Sequence, residues 1–364
     1  MELDGWIAHA VERLKDSDAR LRELSMHVGK VSRTGLRALN SPFVLEDALI
    51  QAVPSVSFTG KVAGVDSGFL DRALYVLDIL LVKSVGVVFE YQGNRLVKSV
   101  YYPRFFQFPK PEVSAEGLER DEVHCSVSLT RLREEVRVAR EIIERHSPQF
   151  LFLDGSLVPQ FMDKPGKDSK VKVFYHEVLN DFQLLFQTAF DHECTLVGAV
   201  EDSRGNRFRA LMEETIFPGL GVHADLGSCK DASLLEYVLS PGERTLAFSY
   251  AQDVSKHPVL ADMNEKWARA LHALYVKPSA YDRPLRVEFL CHDLTQMPAC
   301  AGEVAGIALN QSSLHKEYAF PAVLIEADLR ARLKPEEVDW VFERIMQKLG
   351  RKNFWLQRRD KRPF

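Results

Sequence analysis

Val62-Ala63-Gly64-Val65-Asp66-Ser67-Gly68 and, further along, Phe150-Leu151-Phe152-Leu153-Asp154-Gly155-Ser156 are the stretches that decide the fold. Each is a short apolar run ended by an aspartate and turn-forming residues, the pattern of a buried strand. An aspartate at such a place is held rigidly at the rim of a sheet. Two strands of this kind side by side bring two acids together. Close carboxylates repel, and a divalent cation between them relieves the repulsion. The pair therefore points to metal-assisted phosphoryl chemistry.

Outward from these runs, the order of elements is legible. Residues 61–66, about 73–90 and 95–102 read as β-rich, and Gln92-Gly93-Asn94 is a hairpin signal. Tyr101 to Pro109 is aromatic and broken by prolines. A long helix is expected from about Ala115 to Arg145, closed by Pro148, before the strand ending at Asp154. Further expectations are a helix over 171–191, a strand over 195–200 and a helix over 231–240. Strands over 246–250 and 285–290 and helices from Pro321 and from Pro335 to Leu349 complete the series. Trp6, Ile7, Ala10, Leu14, Leu21 and Leu24 keep helical spacing, so residues 1 to about 50 read as helical. A three-stranded meander, a crossing helix and a fourth strand open a ribonuclease H-like fold. The expected class is α/β: a mixed sheet flanked by helices, with an N-terminal helical extension.

The 364 residues are 46% hydrophobic and 27% charged, ordinary for a globular chain with a substantial core. The net charge of −4 neither supports nor excludes a nucleic-acid partner, since a local basic stripe suffices. Five scattered cysteines contain no C-x-x-C pair, which suits a reducing compartment and gives no zinc ribbon. With no signal-like N-terminus and no apolar stretch near the ~20 residues of a membrane span, the expected location is the cytoplasm.

In this fold class acids sit on the first strand, the crossing helix, the fourth strand and a late helix. Asp66 and Asp154 fill the strand places. On the helix, Leu129, Leu132, Val136, Ala139 and Ile143 form the apolar stripe. Glu135 shares a face with Leu132 and Ala139, whereas Glu134 turns toward Glu141 and Arg145, so Glu135 is the better ligand and Glu134 the fallback. The late candidate is Asp328, with Leu324, Ile325 and Ala331 at three- and four-residue spacing or near it. An acid on such an apolar face needs a partner or a metal.

Gly64-Val65-Asp66-Ser67-Gly68, Leu153-Asp154-Gly155-Ser156-Leu157, Val197 to Ser203, and Phe320-Pro321 leading into Glu326-Ala327-Asp328 resemble the NurA nucleases, over about residues 58–350. The expected division is a helical arm over 1–55 for dimer or partner docking, a nuclease domain over 56–350 that carries the resemblance, and a tail over 351–364 that mixes cations with aromatics. The resemblance implies a metal-dependent DNA nuclease binding Mn²⁺ or Mg²⁺ through Asp66, Glu135, Asp154 and Asp328. It also implies a homodimer that works with a HerA-type hexameric ATPase in DNA end resection, repair or phage defence. Two positions depart from the family pattern: Asp328, where histidine is common, and Glu201, where lysine is common. Oxygen-only ligands favour Mg²⁺ or Mn²⁺ over zinc. A two-ion centre would place the ions roughly 3.5–4 Å apart.

Candidate DNA contacts are Lys164, Lys167, Lys170 and Lys172 after the Asp154 motif, Arg104 in the aromatic segment, the tail, and His315. Each also has a plainer reading as a solvated charge, and the aromatic segment as packing. Alternative functions are another ribonuclease H-like nuclease (a junction resolvase or an RNA-directed enzyme) and an inactive adaptor for the ATPase.

Overall fold

The computed structural model describes residues 2–350 apart from 33, 37, 38, 40, 56, 74–77, 115 and 116. The basic aromatic tail lies outside the described residues. In chain order the elements are α1 (Glu2–Val31), β1 (Ile50–Ala52), β2 (Gly60–Ala73), β3 (Asp78–Gln92), β4 (Arg95–Tyr102), β5 (Lys110–Val113), α2 (Arg120–His146), β6 (Phe150–Asp154), α3 (Lys172–Asp191) and β7 (Thr195–Val200). They continue with α4 (Arg207–Leu211), α5 (Phe217–Gly219), α6 (Asp231–Leu235), β8 (Glu243–Thr245), β9 (Phe248–Ser249), α7 (Glu265–Ala270), β10 (Leu271–Val276), β11 (Leu285–Leu290), α8 (Met297–Gln311), α9 (Ala322–Ala331) and α10 (Pro335–Leu349).

The chain forms two compact units. One comprises residues 1–56, 199–253 and 269–321, the other 57–198, 254–268 and 322–364. The N-terminal segment thus belongs with chain from beyond β7, and the expected 56–350 domain is distributed over both units.

The second unit holds the strand order β7-β6-β2-β3-β4, with β5 also on β3. β2 and β3 are antiparallel from Gly60↔Tyr91 to Ala73↔Asp78. The β3–β4 turn has φ 57° at Gly93 and 66° at Asn94, the type I′ geometry that favours Gly and Asn. β6 runs parallel to β2, in register from Val62↔Phe150 to Val65↔Leu153.

α2 crosses between these strands. It opens with a capping box between Glu119 and Glu122 and closes at Ser147, φ 45°, just before Pro148. Its stripe of Leu129, Leu132, Val136, Ala139 and Ile143 is buried, each large side chain contributing about 1.5–3 kcal/mol. At Gly86 of β3 a side chain would run into Ile142 and Val138, so α2 lies against the face bearing Val65 and Ser67. α9 covers the other face. A Cβ on Gly64 would stand 2.8 Å from the Val323 backbone, and one on Gly68 would meet the carbonyl of Ala331. α10 adds Val338, Val341, Phe342 and Met346 to a cluster with Ile79 and Leu81 of β3.

In the first unit, β1, β8, β10 and β11 form an antiparallel series, with β9 on β10. Phe208, Phe217, Leu234, Phe248 and Tyr275 pack there with Val28 and Val31 of α1. Glu46 and Arg244 form a buried ion pair at 2.6 Å, and Glu46 also accepts the amide of Ala247.

Several expectations need correction. β2 does not stop at Asp66 but continues to Ala73, because residues 67–73 stay paired with β3 and override the turn tendency of Asp-Ser-Gly. The helical reading of residues 1–50 holds only to Val31; Pro42 cannot continue a helix, and Ile50–Ala52 pairs with β8 instead. α2 begins at Arg120 rather than near 115, where its capping box sits. The helix expected over 231–240 ends at Leu235, and of the strand expected over 246–250 only Phe248–Ser249 (β9) forms, with β8 lying before it at Glu243–Thr245. β10 and α8 were not anticipated.

Gly68→Ala should cost about 1–3 kcal/mol through overpacking against the carbonyl of Ala331. Urea unfolding of the variant beside wild type measures it, and a neutral result would contradict the close approach of α9.

Candidate active site

Asp66 and Asp154 come one step after the last registered pair, Val65↔Leu153. Neighbouring parallel strands lie about 4.8 Å apart, and residues at one level project to the same face. The two acids expected at strand ends therefore sit side by side in the register. β6 ends at Asp154, where Gly155 turns the chain with φ 109°, while β2 runs on. Beyond Asp66 the β6 flank of β2 consequently has no strand partner from β6. Groups from both faces of the sheet can reach the acid through that opening.

From one face comes α9. Gly64, Asp66 and Gly68 alternate onto the same side of β2, and the helix backbone rests on both glycines. Asp66 is caught between them, only 6% exposed, with Oδ1 accepting the Ser67 amide at 2.6 Å. Burial raises its pKa above the ordinary carboxylate range; the Ser67 amide opposes this, and the nearby charge of Asp328 adds to the rise. Asp328 itself is exposed, whereas Leu324 and Ala331 are buried. The expected apolar setting for Asp328 is thus corrected: the residue is exposed, and its charge acts on Asp66.

From the other face comes α2. Glu135 is buried, and its Oε1 accepts the Ser67 hydroxyl and Nη1 of Arg131, the latter at 2.5 Å. Burial pushes its pKa up to about 7, against the pull of Arg131 and Ser67. Glu134 points elsewhere, to Arg137 at 2.9 Å and Lys110 at 3.4 Å. Ser67 thus ties two acids together, amide to Asp66 and hydroxyl to Glu135. Arg131 faces more acids still: the charges of Glu135, Asp66, Asp163 and Asp154 all raise its pKa. Sequence reasoning passed over both residues. Their only signals were adjacency to Asp66 and the four-residue spacing to Glu135.

Carboxylate oxygens are the donors that suit a hard divalent cation, and here Asp66 and Asp154 are neighbours in the register while Ser67 joins Asp66 to Glu135. The donor chemistry fits such an ion. Among the described residues, however, no three His, Cys, Asp or Glu side chains already form a ligand group. Oε1 of Glu135 is held by both Arg131 and Ser67.

The expected DNA-contacting cations are dispersed. Lys164 reaches the Pro258 carbonyl at 2.6 Å and Asp262 at 2.5 Å, so it ties its loop to the segment over 258–262. Lys170 donates to the Gly117 carbonyl, and its amide reaches Glu122 at 2.8 Å. Lys172 approaches the Lys167 carbonyl at 3.5 Å. Lys167, Arg104 and His315 are exposed, and His315 belongs to the first unit. Phe105 and Phe106 are also exposed, while Phe108 stacks on Trp340 with centroids 4.6 Å apart. At the end of β7, Asp202 adopts φ 45° and pairs with Arg283 at 2.8 Å, a strand-end turn.

A mixed sheet with acids side by side on two parallel neighbours where one of them ends, flanked by a crossing and a late helix, defines a ribonuclease H-like fold. The family model of the NurA domain matches residues 60–333. The NurA nuclease from Sulfolobus solfataricus has a similar structure, with a TM-score of 0.52 and 12% identity, covering 93% of this chain and 97% of that one. A solved NurA bound to dAMP and manganese is similar with a TM-score of 0.58 and 9% identity, covering 97% and 99% respectively. No curated protein matches the sequence. The chain belongs to the NurA family. Among the described residues, no helix is long and apolar enough to cross a membrane.

The raised pKa of Glu135 has a signed consequence for stability. The fold favours the protonated form, so the contribution is complete below the ordinary carboxylate range and is lost as pH rises through about 7. With chelator present, the melting temperature of wild type should fall relative to Glu135→Gln between about pH 5 and pH 8. Parallel melting curves for the two proteins would contradict the assignment.

Proposed function

We propose that this NurA-family nuclease is a metal-dependent deoxyribonuclease that hydrolyses phosphodiester bonds, with Asp66, Glu135, Asp154 and Asp328 as ligands of Mn²⁺ or Mg²⁺. The observation that carries the reading is the side-by-side register of Asp66 and Asp154 where β6 ends. A bound divalent ion would supply an activated water and neutralise charge on the phosphate and leaving oxygen. The protein's part is to position and tune the acids. Gly64 and Gly68 let α9 hold Asp66 from one side, and Ser67 fixes the orientation of Asp66 and Glu135 together. Burial keeps Glu135 near the neutral range, where the choice between a proton and a cation is close. Ser156 is not cast as a nucleophile, because its Oγ lies in a local turn with the Val158 amide at 3.4 Å.

The solved NurA with manganese supports the choice of ion, and the family resemblance supports DNA as substrate. In the same reading the chain acts as a homodimer with a HerA-type hexameric ATPase, in DNA end resection, repair or phage defence. Leu3, Trp6, Ile7 and Leu14 of α1 are exposed, which suits an element that docks on another chain.

The test is degradation of linear DNA with Mn²⁺, alone and with the ATPase. Asp66→Ala and Asp154→Ala should each lower the rate about 100-fold or more, given that even groups supporting a metal ligand account for 10–100-fold. Full activity in either variant, or a wild type silent under both conditions, sinks the reading. Glu135→Ala should also fall at least about tenfold, while Glu134→Ala stays within a few-fold of wild type. The reverse order would move the ligand one residue along α2.

A further inference from the structure

We propose that Arg131 is the internal counter-cation of the acid cluster: it holds Glu135 when no divalent ion is bound and has to release it when one is. The inference rests on the metal-site reading above and concerns how that site is gated. Three observations carry it.

The first is placement. Arg131 and Glu135 lie one helical turn apart on α2, with Nη1 2.5 Å from Oε1. The same guanidinium lies within electrostatic reach of Asp66, Asp154 and Asp163. One positive charge therefore serves acids from β2, β6, α2 and the loop after β6.

The second is asymmetry of exposure. The Glu135 side chain is 6% exposed and that of Arg131 is 25% exposed. Uncompensated, the glutamate would be a buried charge, which costs several kcal/mol. The arginine has a path to water: its long stem can turn outward and hydrate the guanidinium.

The third is the commitment of neighbouring cations. Arg137 pairs with Glu134 and Glu141, Lys110 with Glu112 and Glu134, and Lys164 with Asp262. None of these takes over Glu135. A divalent ion that gains the Glu135 oxygen exchanges one protein charge for two of its own, and Arg131 leaves for solvent. Apparent metal affinity is then lowered by the fraction of protein in which Arg131 holds the acid.

The experiment is Mn²⁺ binding to the full chain without DNA, followed by the electron paramagnetic resonance signal of free Mn²⁺. Arg131→Gln should bind Mn²⁺ about tenfold more tightly than wild type. In chelator it should melt below wild type, and saturating Mn²⁺ should narrow that gap. A merely structural arginine would give the opposite result in binding: a variant with equal or weaker affinity overturns the proposal. Should Arg131→Gln not fold, Arg131→Lys keeps the charge but loses the planar fork. It should bind Mn²⁺ a few-fold more tightly than wild type, and equal or weaker binding overturns the proposal in the same way. Asp154→Asn separates the two levels. If wild type binds Mn²⁺, Asp154→Asn does not, and Arg131→Gln is no tighter, the counter-cation role alone fails. If wild type and Asp154→Asn are both without binding, the metal site itself fails.

Discussion

Everything in the second unit is arranged around the close approach of one helix to one strand. α9 rests on β2 where Gly64 and Gly68 leave the strand bare, and Asp66 stands between them. A methyl group at either glycine would push the helix off and open the space around the acid. The constraint is steric first and electrostatic second. Because the helix is close, Asp66 is desolvated, and because it is desolvated, each neighbouring charge acts on it strongly.

The second arrangement is topological. Two parallel strands in register end differently: β6 stops at Asp154 and β2 continues along β3. Beyond Asp154 the β6 side of β2 is without a β6 partner, at the level where Ser67 joins Asp66 to Glu135. Glu135 arrives from α2, on the face opposite the one α9 covers. Gathering carboxylates in a partly dry place is unfavourable, and the upward pKa shifts of Asp66 and Glu135 record that cost. Ser67 and Arg131 offset part of it with hydrogen bonds and charge.

Legibility in the sequence followed the range of the physics. The hairpin at Gly93-Asn94, the strand over 285–290 and the helix from Pro335 to Leu349 rest on local rules, and the structure places them as expected. Helical spacing put Glu135 on one face with Leu132 and Ala139, and the structure buries all three, while Glu134 pairs with Arg137. The failures were of another kind. The end of β2 was misplaced because Asp-Ser-Gly reads as a turn unless a long antiparallel partner overrides it. The stretch after Val31 was misread because its apolar residues pack into a loop core instead of a helix face. α8 is so uniformly apolar that it lacks the one-sided pattern by which helices are recognised.

The amino-acid sequence by itself determined the strand–helix–strand order, the identity of the acids and the glycines that flank them, because these depend on short spacings and residue chemistry. Only the tertiary structure decided that α9 sits on the glycine face, that Asp328 is solvent-facing, that the lysines brace loops, and that Arg131 and Ser67 hold Glu135. Those outcomes depend on which distant segments share a surface, and no periodicity within a single segment carries that information.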